Sequence, residues 1–225
     1  MSKSVIIIAT YNRPDHCLNL LKDIAKIPDV RVKVYNDGST ESYGDVEEYL
    51  LGMDSYYIKV PHMGKQGFYK LHQMMYREMI GERYDYFIQL LDDMRLVDDF
   101  HNKAIKQFND SGADLLNIIN MDVLVGVMQK AGVKMRTVNG VGFWDFHWLD
   151  LCFITTQKYL ESLNYTCPDI PAAWFKRKKH TSSGVSTALT RAYKGKISVV
   201  DKSLLIHTGV VSQMNTYKVP YKSRL

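Results

Sequence analysis

The sequence predicts an α/β fold with a mostly parallel central sheet and helices on both faces. Three observations predict it. Within the first hundred residues, short apolar runs alternate four times with segments of helical period, joined by short connections. Three of those runs end in polar loops, at residues 10–13, 36–40 and 92–93. The last of them, Phe87-Ile88-Gln89-Leu90-Leu91, stops abruptly at two adjacent carboxylates, Asp92 and Asp93. In an open α/β sheet the carboxyl ends of the strands are where ligands collect, so the three loops belong on one functional edge.

In chain order, Val5 to Ala9 reads as a central strand. Thr10-Tyr11-Asn12-Arg13 is a turn, and Pro14 suits the first position of the helix that carries Cys17, Leu20, Leu21 and Ile24 on one face. Val30, Val32 and Val34 alternate with Arg31 and Lys33, the period of a second strand. Asn36-Asp37-Gly38-Ser39-Thr40 has strong turn chemistry. A short helix is expected over 46–51 and a third strand over 56–60. Residues 61–67, with two glycines and Lys65, read as a loop before a helix, suited either to hold phosphate through backbone N–H groups or to be an ordinary solvated loop. It is not a Walker loop. Phe68, Leu71, Met75 and Met79 mark the core face of that helix, and the fourth strand is expected over 84–91.

The second half is less regular. Helices are expected over 100–108, 157–163 and 185–193, and strands over 113–120, 151–155 and 197–200. Gly140 to Asp150 is dense in aromatics with Asp145 and Asp150 among them, which suits either a sugar-binding wall or a core cluster with surface acids. Residues 168–179 read as a loop, and Lys176-Arg177-Lys178-Lys179 is a basic run. Leu204-Leu205-Ile206 leads to His207, and the tail from Thr216 is polar and basic.

At 225 residues with 46% hydrophobic content, the chain can build one sizeable core. The expectation is a single domain, with residues 1–100 a donor-binding half and 101–225 an acceptor and metal-completing half. No run approaches a membrane span, which argues against membrane insertion. Cys17, Cys152 and Cys167 lack metal-type spacing and argue for a reducing, cytoplasmic compartment. A net charge of +5 permits an anionic partner without demanding one. The absence of Gly-x-Gly-x-x-Gly after the first strand weighs against a dinucleotide fold. Asp92 and Asp93 could be a simple loop start or helix cap. As a site, two adjacent acids repel unless a cation neutralises them, and a divalent cation on a phosphate-bearing ligand is the natural choice.

Three segments together resemble the inverting family-2 glycosyltransferases of the GT-A fold: Val5 to Pro14, then Asn36 to Thr40, then Leu90-Leu91-Asp92-Asp93. The resemblance implies a Rossmann-like GT-A fold and a nucleotide-diphosphate sugar donor, usually a UDP-sugar. By position it places Thr10, Tyr11, Arg13 and Asp37 around the base, Lys65 near the diphosphate, and Asp92 at the ribose. Asp93 falls to a Mn²⁺ or Mg²⁺ ion. The stretch from Leu204 to Asn215 resembles the closing segment of many such enzymes, which makes His207 the second metal ligand. Two departures stand out. Leu91 occupies the place of an earlier acid, and Ser182-Ser183-Gly184 stands where many members carry the catalytic Glu-Asp pair. The general base is therefore expected at Asp150, then Asp145, then Asp169. The expected reaction is sugar transfer to a hydroxyl with inversion. The acceptor is expected to be a glycan or a hydroxymethylated base in viral DNA, the latter approached by Lys176 to Lys179. The rivals are a nucleotidyltransferase and a catalytically inactive nucleotide- or sugar-binding module.

Overall fold

The computed structural model describes residues 3–170, 181–208 and 223–225. The first half runs β1 (Ser4–Thr10), α1 (Pro14–Ile24), β2 (Val30–Asn36), α2 (Gly44–Leu51), β3 (Ser55–Lys59), α3 (Gly64–Arg77) and β4 (Tyr86–Leu91). The second half runs β5 (Met94–Leu96), α4 (Phe100–Ser111), β6 (Leu115–Asn117), α5 (Asp122–Lys130), β7 (Met135–Val138) and β8 (Val141–Trp144). It continues with β9 (Phe153–Thr155), α6 (Gln157–Ser162), α7 (Thr181–Ala192), β10 (Ile197–Val200) and β11 (Leu205–His207). Nine strands form one sheet in the order β3-β2-β1-β4-β9-β6-β10-β8-β7, and β11 pairs β5 in a separate ribbon.

The expected α/β architecture is present. Strands β3, β2, β1 and β4 are mutually parallel, and β9 enters antiparallel between β4 and β6. Successive side chains of a strand point to opposite faces, and β1 shows the consequence. Ile6 and Ile8 pack with Leu20, Leu21, Val46 and Phe100 from α1, α2 and α4. Val5 and Ile7 pack with Leu71, Met75, Leu160 and Leu189 from α3, α6 and α7. A strand buried on both faces has to be apolar throughout, which is why 5–9 reads as a continuous run.

The structure corrects several boundaries. Helix α3 begins at Gly64 and takes in most of the expected phosphate loop, because the Asp37 carboxylate accepts the Met63 N–H at 2.7 Å and so satisfies an amide at the helix start. Strand β6 covers only 115–117 of the expected 113–120. The β5–β11 ribbon, α5 and the β7–β8 hairpin were not expected. The ribbon is held to the body through Asp23 of α1, whose carboxylate accepts from Arg95 Nε at 2.6 Å, Arg95 Nη2 at 2.9 Å and the Leu96 amide at 3.2 Å. Among the described residues no helix is long and apolar enough to cross a membrane.

Candidate functional site

Parallel pairing in register sets the carboxyl ends of β2, β1 and β4 side by side: Thr10 lies opposite Asn36, and Ala9 opposite Leu91. The next residues of each chain therefore meet. The Asp37 amide donates to the Thr10 carbonyl at 3.0 Å. Thr10 Oγ1 donates to Asp92 Oδ2 at 2.8 Å and lies 2.6 Å from the Tyr43 hydroxyl. A threonine has one hydrogen to give, so with Asp92 ionised the Tyr43 hydroxyl donates to Thr10 and itself accepts the Arg13 N–H at 3.0 Å. The turn between β1 and α1 is fixed by Asn12, which adopts φ 51°. Its side-chain oxygen accepts the Thr40 amide at 2.8 Å, stapling the first loop to the second.

The two acids sit at the centre. Arg13 Nη1 lies 2.6 Å from Asp93 Oδ2 and 3.3 Å from Asp92 Oδ1. His207 Nε2 lies 3.4 Å from the same Asp93 oxygen. The ribbon register explains the second contact: His207 pairs with Met94, the residue after Asp93, and Thr208 donates to the Asp93 carbonyl through its amide at 2.8 Å and its hydroxyl at 2.9 Å. Burial, then the neighbouring Asp93 charge, pushes the Asp92 carboxyl well above the usual carboxylate range. Burial opposes ionisation of Asp93 too, but His207 and then Arg13 outweigh it and hold that carboxyl below the usual range. Asp93 Oδ1 is buried without a hydrogen-bond partner. An ionised oxygen left bare beside a histidine is a donor set that fits a divalent cation, with the remaining coordination positions open to ligand oxygens or water. Among the described residues no group of three or more His, Cys, Asp or Glu side chains could hold a metal ion.

Asp37 forms a second, separate pocket. Gly38, at φ +63°, lets its loop pass so close to His62 that a Cβ would stand 2.3 Å from the His62 nitrogen. Asp37 Oδ1 accepts the Met63 amide, while Oδ2 is buried and accepts no hydrogen bond, although His62 Nδ1, bonded to the Asp37 carbonyl, lies 3.2 Å from it. Burial raises its carboxyl above the ordinary range, opposed first by the Met63 N–H and then by His62. Tyr11 stacks on His62 beside it, with ring centroids 4.3 Å apart and planes inclined by 12°. An acceptor-only oxygen next to an aromatic wall suits a planar ring bearing an N–H.

No protein family matches the sequence, and no curated protein matches it. Solved structures do. The chain resembles S. aureus TarS residues 1–349 with a TM-score of 0.61 at 18% identity, covering 92% of this chain and 60% of that one. Against a longer TarS chain the TM-score is 0.62 at 16% identity, covering 92% and 37%. Against TarS 1–349 in complex with UDP it is 0.60 at 17% identity, covering 90% and 59%. This chain shares the TarS fold. It spans less than two thirds of the length of those structures.

The second half contributes Asp150 to the same edge. Strand β9 runs antiparallel to β4, so the residues before Phe153 pass alongside Leu90 and beyond. Asp150 is half-buried, and its carboxyl feels both His207 and Asp93. Burial raises its pKa, and the Cys152 and Leu151 amides only partly offset this. The loop is fixed by Asn117, fully buried in β6, whose Oδ1 accepts the Asp150 amide at 2.7 Å and whose Nδ2 donates to the Trp148 carbonyl at 2.7 Å. Asp145 is not brought to the site. Its oxygens accept from Arg136 Nε at 2.9 Å and Ser198 Oγ at 2.6 Å, with Lys196 at 3.7 Å, near the amino end of β10. Those hydrogen bonds outweigh burial and lower its pKa, which leaves no basic oxygen to spare. Asp169 is exposed beside Tyr69 of α3. Lys65 lies in the first turn of α3, its side chain outside the described residues, as is the whole of 176–179. Sequence reasoning missed Tyr43, His62, Asn117 and Thr208. Asn117 alone left a trace: an amide inside Leu115-Leu116-Asn117-Ile118-Ile119 has to be hydrogen-bonded within the core.

Proposed function

We propose that the protein is a glycosyltransferase of the GT-A type, taking a nucleotide-diphosphate sugar, a UDP-sugar in particular, and transferring the sugar to an acceptor hydroxyl with inversion. The observation that carries this reading is the convergence of Asp37, Asp92, Asp93, Asp150 and His207 on one sheet edge, with a buried oxygen on both Asp37 and Asp93 that accepts no hydrogen bond. The fold shared with the glycosyltransferase TarS, which has been solved with UDP, supports it.

In this reading Asp37 Oδ2 accepts the uracil N3–H and Tyr11 covers the ring. Thr10 holds Asp92 in place toward the ribose, and Arg13 belongs to the same donor site. Asp93 and His207 would hold Mn²⁺ or Mg²⁺, which supplies charge neutralisation to the departing diphosphate. Asp150 takes the proton of the attacking hydroxyl. Its raised pKa suits that role, because a base is most useful when its conjugate acid is not too strong. The acceptor is a glycan or a hydroxymethylated DNA base. A log–log salt slope of about −0.9 per phosphate contact would mark DNA, and a neutral glycan would give almost none.

Calorimetry of UDP and CDP binding, with and without Mn²⁺, tests the donor assignment. UDP should bind more tightly than CDP, and Asp37→Ala should weaken UDP by roughly 10- to 100-fold, the worth of one hydrogen bond to a charged group. Equal losses for UDP and CDP would remove Asp37 from base recognition. Release of pyrophosphate on turnover would assign a nucleotidyltransferase instead, and binding with no turnover a binding module.

A further inference from the structure

A cation that bridges Asp92 and Asp93 is already in the protein. Arg13 Nη1 bridges the two carboxylates at 3.3 and 2.6 Å, with its side chain 13% exposed and theirs 8% and 9%. It contacts Asp93 through Oδ2, the oxygen that His207 also approaches, and so stands on the His207 side of the carboxylate. Its backbone cannot retreat. The Arg13 amide is held by Tyr43, Asn12 ahead of it is stapled to Thr40, and Pro14 behind it opens α1. The guanidinium can leave the acids only by turning about its own side-chain bonds.

We infer that Arg13 competes with a divalent cation for the Asp92–Asp93 pair, so that metal binds weakly to the protein alone and tightly only alongside an anionic ligand. The inference rests on the donor reading for the identity of that ligand, but not for the competition itself. With both acids ionised, the three side chains sum to one negative charge. A divalent cation turns that into one positive charge in a largely dry site, with a guanidinium a few ångströms from the metal. Like charges at that distance repel strongly where water is excluded. A diphosphate reverses the sum, and it offers the guanidinium oxygens to which it can hydrogen-bond bidentately in place of the acids. Arg13 then moves from the carboxylates to the phosphates while the metal takes its place on Asp93. This makes Arg13 a positioning residue that couples two binding events, beyond a simple phosphate contact.

The test is a titration of Mn²⁺ into the full chain, followed by calorimetry or by the paramagnetic signal of free Mn²⁺, first without nucleotide. Arg13→Met, which keeps the bulk of the side chain and removes the charge, should bind Mn²⁺ at least about tenfold more tightly than wild type, within the usual range of such couplings. Arg13→Lys should stay near wild type. Saturating UDP should then tighten Mn²⁺ for wild type at least about tenfold and for Arg13→Met by much less. Equal nucleotide-free affinities for wild type and a folded Arg13→Met, with unfolding midpoints that agree, would overturn the inference. If Arg13→Met does not fold, wild type alone decides: tight Mn²⁺ binding that UDP leaves unchanged overturns the inference, and weak binding tightened by UDP supports it. Failure of wild type to bind UDP at any Mn²⁺ concentration would instead sink the donor reading, while the nucleotide-free comparison still decides the competition.

Discussion

The two edges of the central sheet treat their acids differently. At the amino ends of the strands four acids are met by donors. Asp54 receives Arg31 Nε at 2.9 and 3.0 Å, Asp85 the Lys3 amide at 2.8 Å, Asp114 the Lys196 amide at 2.8 Å, and Asp145 the Arg136–Ser198–Lys196 group. At the carboxyl ends the acids are more buried and less satisfied. Asp37 and Asp93 each keep an oxygen that accepts no hydrogen bond, and Asp92, Asp37 and Asp150 are all pushed toward the neutral form. Folding would favour the first arrangement everywhere, because a buried unpaired carboxylate oxygen is costly. Its persistence along one edge marks where a ligand completes the structure.

The sharpest way to break this contrast is to remove one acid from each edge of the aromatic run they flank. Asp150→Asn should reduce turnover by about 10²- to 10⁴-fold, the range of general acid–base catalysis, with donor affinity nearly unchanged. Asp145→Asn should leave turnover within about threefold, since its oxygens are already committed to Arg136 and Ser198. Steady-state kinetics of the two variants checks both, and the reverse pattern would move the base to Asp145. A pH profile adds a signature. The base acts ionised, and burial raises its pKa, so wild-type turnover should fall as pH drops through a value above the ordinary aspartate range near about 3.9. That limb should vanish from the residual activity of Asp150→Asn.

A smaller effect is expected one layer back. Asn117→Ala removes the groups that hold the Asp150 amide and the Trp148 carbonyl, so it should cost about 1–3 kcal/mol in denaturant unfolding. It should also lower kcat more than it raises the donor KM, because only the loop bearing Asp150 loses its anchor. Equal changes in both constants would make Asn117 a stability residue alone. The smallest effect belongs to the other edge. Asp54→Asn breaks an exposed ion pair with Arg31 and should cost no more than about 1 kcal/mol, with no change in nucleotide affinity.

The sequence by itself determined the first half of the chain. The continuous apolar run 5–9, the alternation through Val30, Val32 and Val34, and Pro14 after a polar turn are local consequences of burial on two faces and of backbone geometry. Parallel register then follows almost automatically, so Thr10, Asp37 and Asp92 could be placed together from the chain alone. What followed Asp93 could not. Antiparallel insertion of β9, the β5–β11 ribbon and the amide brackets at Asn117 join residues far apart in sequence, and no period announces them. Asp145 and Asp150 look alike as letters beside aromatics. Strand direction decided that one meets Arg136 and the other lies within electrostatic reach of His207 and Asp93. Arg13 shows the same limit inside the legible half: the turn that carries it was readable, but its bridge between two carboxylates was not. A long charged side chain goes wherever the nearest uncompensated charge lies, and that is a property of the folded edge.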